Sequence, residues 1–125
     1  MKLSSFLVVK AIISLAFGIS FVAVPAAVWS IYGVTLDPAG ILMTRFIGAC
    51  LTGIGLICWL TRNADSSALK SVTLSLCIAD TIGFIVAVSG QLSGIMNTLG
   101  WIIVAIWLLL ALGLGYFRFL KPATP

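Results

Sequence analysis

Two ionisable side chains, Arg45 and Asp80, lie deep within apolar stretches that are long enough to cross a bilayer. A charge in bilayer hydrocarbon costs at least ~2.5–3.5 kcal/mol, so each side chain needs a partner or water. We therefore predict that Arg45 and Asp80 interact across neighbouring helices, directly or through a shared water. Two alternatives stay open: Arg45 extends to lipid phosphates, or Asp80 is protonated and hydrogen-bonded.

Further polar and aromatic side chains could complete a binding site around this pair. Arg45 could anchor the polar head of a lipid or quinone, with Asn97, Trp101 and Trp107 as the wall of the site. Asn97 is also expected to begin the fourth helix, as an N-cap or in a bond between helices. Lys10 lies near the start of the first apolar stretch, and we expect its stem to extend to the headgroups.

The residue types that are missing limit the chemistry further. The chain has no His and no Glu, and its acidic residues and cysteines are few: Asp37, Asp65, Asp80, Cys50, Cys58 and Cys77. Without imidazole there is no His-based metal or haem site and no His general base. The cysteines form no C-x-x-C pair. We predict no catalytic residues, no metal site, no cofactor and no enzymatic activity.

The composition indicates that these residues lie in helices that cross a membrane. Of 125 residues, 62% are hydrophobic and 8% charged, against roughly 25% charged in typical soluble chains. Four continuous apolar segments cover about residues 5–29, 39–60, 68–89 and 95–119, each near the ~20 residues of a membrane-spanning helix. We predict one all-α domain over 1–125, an integral membrane four-helix transmembrane bundle whose first segment is a retained span.

Basic residues predict the orientation of this bundle. Those beside the two termini and the second connection fall on one side of the membrane: Lys2, Lys10, Arg62, Lys70, Arg118 and Lys121. The positive-inside rule then places both termini in the cytoplasm. We predict a multi-pass protein of the inner (plasma) membrane. The basic residues are scattered at membrane ends, so the net charge of +4 does not indicate nucleic-acid binding.

Small residues predict how the helices pack. On the second segment, Gly48, Thr52 and Gly55 recur at spacings of four and three, which places them on one face of a helix. A stripe of this kind lets another helix approach closely in lipid. We predict that this stripe faces protein.

Short motifs extend over most of the chain, from about residue 32 to residue 117: Tyr32-Gly33 before Pro38, Arg45 with Gly48-Ala49 and Gly53, and Asn97 before Gly100-Trp101. This pattern resembles the small bacterial four-helix membrane proteins of the DoxX-like group. The resemblance implies a four-helix membrane fold. Some members of that group are associated with thiol- or quinone-linked oxidation, but this chain lacks paired cysteines and histidines.

Three function classes follow. We favour a structural or accessory subunit that packs as a homo-oligomer or in a larger membrane complex, because the short loops leave little surface outside the bilayer. A small transporter or channel is the first alternative, with Asp80 as its single coupling acid. A lipid- or quinone-binding membrane protein is the second. An enzyme is not expected, since no nucleophile–base arrangement is present.

Overall fold

The architecture is a bundle of four long helices and one short helix. A computed structural model describes residues 1–121, which contain no strand. The helices are α1 (Leu3–Ala23), α2 (Pro25–Ile31), α3 (Pro38–Thr61), α4 (Ser66–Leu92) and α5 (Gly100–Gly115), with a π-helical turn (Tyr116–Leu120) that extends α5. Four of these elements, α1, α3, α4 and α5 with its extension, are long and apolar enough to cross a membrane. The predicted all-α, four-span fold is confirmed.

The first predicted helix is interrupted. The segment 5–29 was expected to be continuous, but α1 ends at Ala23 and α2 begins at Pro25. Val24, between them, has φ −138° and ψ 57°, outside the helical region. Proline lacks an N–H and its ring disfavours helical geometry in the preceding residue. The chain therefore breaks at Val24, and α2 forms a separate cap over the end of α1.

The fourth span begins later than the predicted residue 95. A turn with Gly94 at φ +75° follows α4, and α5 starts only at Gly100. A positive φ is strained for residues with a Cβ, so glycine suits this turn. Asn97 consequently lies in the connection and does not begin the helix as predicted.

Two aspartates determine where α3 and α4 begin. Oδ1 of Asp37 accepts the backbone N–H of Gly40 at 2.7 Å, and Oδ1 of Asp65 accepts that of Ala68 at 2.9 Å. Each carboxylate satisfies a first-turn donor that has no partner within the helix. Asp37 and Asp65 are therefore the N-caps of α3 and α4.

The long helices pack chiefly as two pairs, α1 with α3 and α4 with α5. In the first pair the backbones approach very closely. A Cβ on Gly48 would lie 2.7 Å from the carbonyl oxygen of Gly18, and one on Gly55 would lie 2.7 Å from Cγ of Leu15. The predicted stripe, including Thr52 beside Gly18, lies against α1.

The two pairs join most tightly at the end of the bundle where the termini lie. Phe6 of α1 contacts Phe117 of the π-helical turn, with ring centroids 5.6 Å apart. Around them is one continuous apolar cluster, made of Leu3, Leu7, Ala11, Cys58, Leu69, Leu76, Leu114 and Phe117. We call this half of the bundle the terminal half, and the other half, capped by α2, the distal half.

Candidate functional site

A buried ion pair connects the two helix pairs. Nζ of Lys10, on α1, donates to Oδ1 and to Oδ2 of Asp80, on α4, both at 2.8 Å. The exposed fractions are 3% for Lys10 and 2% for Asp80. Asp80 lies near the middle of α4, so the pair sits well within the apolar part of the bundle. The geometry is that of a charge-assisted, doubly bonded contact.

Lys10 does not extend to the headgroups as predicted. It is the eighth residue of α1, roughly 10 Å along the axis from Leu3 at 1.5 Å per residue. The buried face of α1 includes Leu7, Lys10, Ser14 and Gly18. Lys10 shares this face with its neighbours three and four residues away, and its ammonium therefore points into the bundle.

The predicted contact between Arg45 and Asp80 is wrong. Both carboxylate oxygens of Asp80 are bonded to Lys10, and Arg45 makes no ion pair within residues 1–121. Arg45 lies on the exposed side of α3, whereas its neighbour Thr44 is buried. Arg45 precedes Gly48 by three residues, so it lies beside the stripe that contacts α1, but its own side chain is exposed.

Next to the ion pair, an apolar cavity of about 280 Å³ occupies the distal half between the four long helices. Its walls are aromatic and aliphatic: Ile13, Phe17, Phe21, Trp29, Ile47, Leu51, Val86, Ile103, Ile106, Trp107 and Leu110. Apart from the two tryptophans with their indole N–H groups, the residues of the lining that carry polar side-chain atoms are Lys10 and Ser14. Ser14 is 4% exposed, and its hydroxyl makes no hydrogen bond among the side chains that the structure describes. The cavity therefore has an apolar body and a small polar floor.

Two tryptophans hold the cavity walls in place. The ring of Trp29 stacks on Phe21 with centroids 5.6 Å apart, and its Nε1 donates to Oγ1 of Thr44 at 3.1 Å. Trp107 packs so closely on Gly83 that a Cβ there would overlap the indole. A second cavity of about 330 Å³ shares Trp29 and Trp107 and continues toward the connection between α4 and α5.

The predicted binding wall is only partly brought together. Trp107 lines both cavities, whereas Trp101 is 49% exposed and lines neither. Asn97 instead joins its connection to the end of α2: its Nδ2 donates to the carbonyl of Ile31 at 3.0 Å, and its Oδ1 accepts the N–H of Leu99, in the same connection, at 3.0 Å. Of the roles predicted for Asn97, the structure shows the bond between elements.

The remaining reactive groups form no cluster. Cys50, Cys58 and Cys77 are free thiols. Within the described part of the chain, no three His, Cys, Asp or Glu side chains come together at a spacing that could hold a metal ion. The buried polar and charged side chains of the described residues are Lys10, Ser14, Thr44, Thr73 and Asp80, and the hydroxyl of Thr73 has no hydrogen-bond partner.

Comparison with protein-family models, with curated proteins and with solved structures finds no match to this chain. Fold and site alone define its class. It is a small multi-pass membrane protein whose four spans contain a buried ion pair and line an adjoining, partly open apolar cavity.

Proposed function

We propose that this protein binds a lipophilic molecule in the cavity of its distal half. The observation that supports the proposal is the position of that cavity: apolar walls from all four spans meet a polar floor made by Lys10 and Ser14. Ligand sites in proteins are concave, mostly apolar and provided with a few convergent polar groups. At about 280 Å³ the cavity is near the lower end of the ~300–1,000 Å³ range of such sites.

The polar floor has free hydrogen-bonding capacity. The ammonium of Lys10 has three N–H donors, two of which are directed to the oxygens of Asp80. The third donor and the hydroxyl of Ser14 are left for a bound molecule. A ligand acceptor that bonds to either group gains about 0.5–1.5 kcal/mol net for each hydrogen bond.

The lipid- or quinone-binding alternative from the sequence belongs to this class. The anchor changes, however: Lys10 takes the place that the sequence suggested for Arg45, and Trp29 with Trp107 takes that of Trp101. Membership of the DoxX-like group stays a prediction, as do the cytoplasmic termini, the inner membrane and the absence of enzymatic activity.

The other two function classes also stay predictions. A structural or accessory subunit should co-purify in mild detergent with copies of itself or with a larger partner. A transporter with Asp80 as coupling acid must alternately expose that carboxylate, which in this conformation is 2% exposed and bonded to Lys10. A binding function requires neither a partner nor that rearrangement.

Tryptophan fluorescence provides the test, because two of the four tryptophans line the cavity. A protein with Trp59→Phe and Trp101→Phe keeps only Trp29 and Trp107 as reporters. Its fluorescence is recorded in nanodiscs during titration with methyl ω-bromoundecanoate, an uncharged lipophilic quencher. We expect saturable quenching.

A matched pair of variants on α3 separates binding from quenching through the bilayer. Leu51 lines the cavity, whereas Leu56 is 47% exposed on the same helix. In the reporter background, Leu51→Phe should fill the cavity and abolish the saturable component, and Leu56→Phe should leave it unchanged. Quenching that is linear with probe concentration, or that both variants alter equally, would refute the proposed function.

A further inference from the structure

The charges at the cavity floor determine which kind of polar head group a ligand can have. We propose that this site selects an uncharged lipophilic molecule with a hydrogen-bond acceptor at one end, such as a ketone or an ester. This inference rests on the proposed function and deepens it.

The charges at the floor of the cavity balance. Lys10 and Asp80 form a complete ion pair, so the floor is already neutral. Among the described residues around the cavity no other side chain is ionised, since the remaining lining is aromatic, aliphatic or Ser14. A charged head would thus enter without a counter-ion, and an unpaired charge is expensive at this depth.

The floor of the cavity offers hydrogen-bond donors to a bound molecule. Lys10 lines the cavity and Asp80 does not. An entering head group therefore meets the ammonium, which can only donate, and the hydroxyl of Ser14, which can donate as well. A carbonyl oxygen accepts both bonds, whereas an ammonium head would face Lys10 and be repelled.

An anionic head group gains nothing by displacing Asp80 from Lys10. A carboxylate head that took Lys10 from Asp80 would leave the latter charged and 2% exposed. One carboxylate is then always without a cation, so the exchange recovers nothing. The neutral acceptor is the head group that leaves every charge in the site paired.

A set of probes with the same chain tests this selectivity. The reporter protein with Trp29 and Trp107 as its only tryptophans is titrated with methyl ω-bromoundecanoate, ω-bromoundecanoate, ω-bromoundecylammonium and bromoundecane. Dissociation constants are corrected for each probe's partition into protein-free nanodiscs. We expect the ester to bind on the order of tenfold or more tightly than either charged probe.

Two variants test the source of the selectivity. Asp80→Asn removes the negative member of the pair, which leaves Lys10 unpaired, and it should shift the preference from the ester to the carboxylate probe. Ser14→Ala should weaken the binding of the ester by roughly 2- to 12-fold. It should leave the affinity for bromoundecane, which has no acceptor head, unchanged. The thermal unfolding of each variant in detergent shows whether it is folded.

The outcomes separate this inference from the function beneath it. If no probe quenches saturably, the proposed function fails. If the probes bind but the carboxylate or the ammonium binds as tightly as the ester in the unaltered site, the function stands and the inference is refuted. The probe comparison needs neither substitution in the site, so it decides the question even if Asp80→Asn does not fold.

Discussion

The ion pair predicts a specific pattern of stability when its members are replaced. Lys10→Met leaves the Asp80 carboxylate unpaired, and Asp80→Val leaves the ammonium unpaired, each in a site at most 3% exposed. Breaking a buried pair from one side costs about 3–5 kcal/mol, and an isolated charge within a membrane costs at least ~2.5–3.5 kcal/mol. We expect each single variant to lose about 3 kcal/mol of unfolding free energy.

The double variant is the informative one. Replacing both members of a buried pair with apolar residues is often neutral or stabilising, so Lys10→Met with Asp80→Val should come within about 1 kcal/mol of the parent. The two single losses together then exceed the loss of the double variant by about 5 kcal/mol, which is the coupling energy. Single hydrogen bonds within membranes average only about 0.6 kcal/mol in such cycles. The coupling of Lys10 with Asp80 should be larger because it consists of two charge-assisted bonds between buried groups.

The assay is reversible unfolding in mixed micelles with increasing SDS, followed by tryptophan fluorescence. Arg45→Met combined with Asp80→Val provides the matched cycle, because Arg45 is exposed on α3. That second cycle should be additive within about 0.5 kcal/mol. Additive losses for Lys10 and Asp80, or a coupling that is larger for Arg45 and Asp80, would refute the assigned pairing.

Three further predictions concern packing, connections and topology. Gly48→Ala should lower the free energy of unfolding by about 1–3 kcal/mol, because the new Cβ meets backbone at 2.7 Å. Gly53→Ala should be neutral or stabilising, because a Cβ there has nothing within 4 Å. Unfolding in SDS measures both, and equal losses would contradict the packing of α3 on α1. Asn97→Ala should lose about 1–2 kcal/mol and speed amide exchange in the connection before α5, whereas Thr98→Ala should change neither. Reporter fusions at the C-terminus and in residues 33–37 should report opposite sides of the membrane, with the C-terminus cytoplasmic. Equal signals from the two fusions would contradict the predicted topology.

The spans could be predicted from the sequence because apolar length alone identifies a membrane-crossing helix. Their interruptions depended on local backbone chemistry. Pro25 could have indicated the break at Val24, since the residue before a proline avoids helical geometry. The late start of α5 depended on a glycine turn at Gly94, which an unbroken apolar segment does not reveal.

The sequence identified one member of the ion pair but not the other. Asp80 was recognised because a lone carboxylate in an apolar span needs a partner, but its partner was sought on α3. The distance of Lys10 from the helix end suggested that its stem extends to the headgroups, but distance from the end does not determine which face of the helix a residue occupies. The spacing of Lys10 and Ser14 could have placed both on one face. The cavity could not have been predicted, because its lining comes from side chains of all five helices, whose packing the sequence pattern does not specify.

The ion pair also has a consequence for the order in which the protein is made. Its members are 70 residues apart in the chain, and at ~5–20 residues per second of synthesis Lys10 precedes its partner by roughly 4–14 s. The close contact of α1 with α3 needs no charge, so that pair can assemble first. An incomplete chain that ends before α4 keeps an uncompensated ammonium in its first span, which distinguishes it physically from the finished protein.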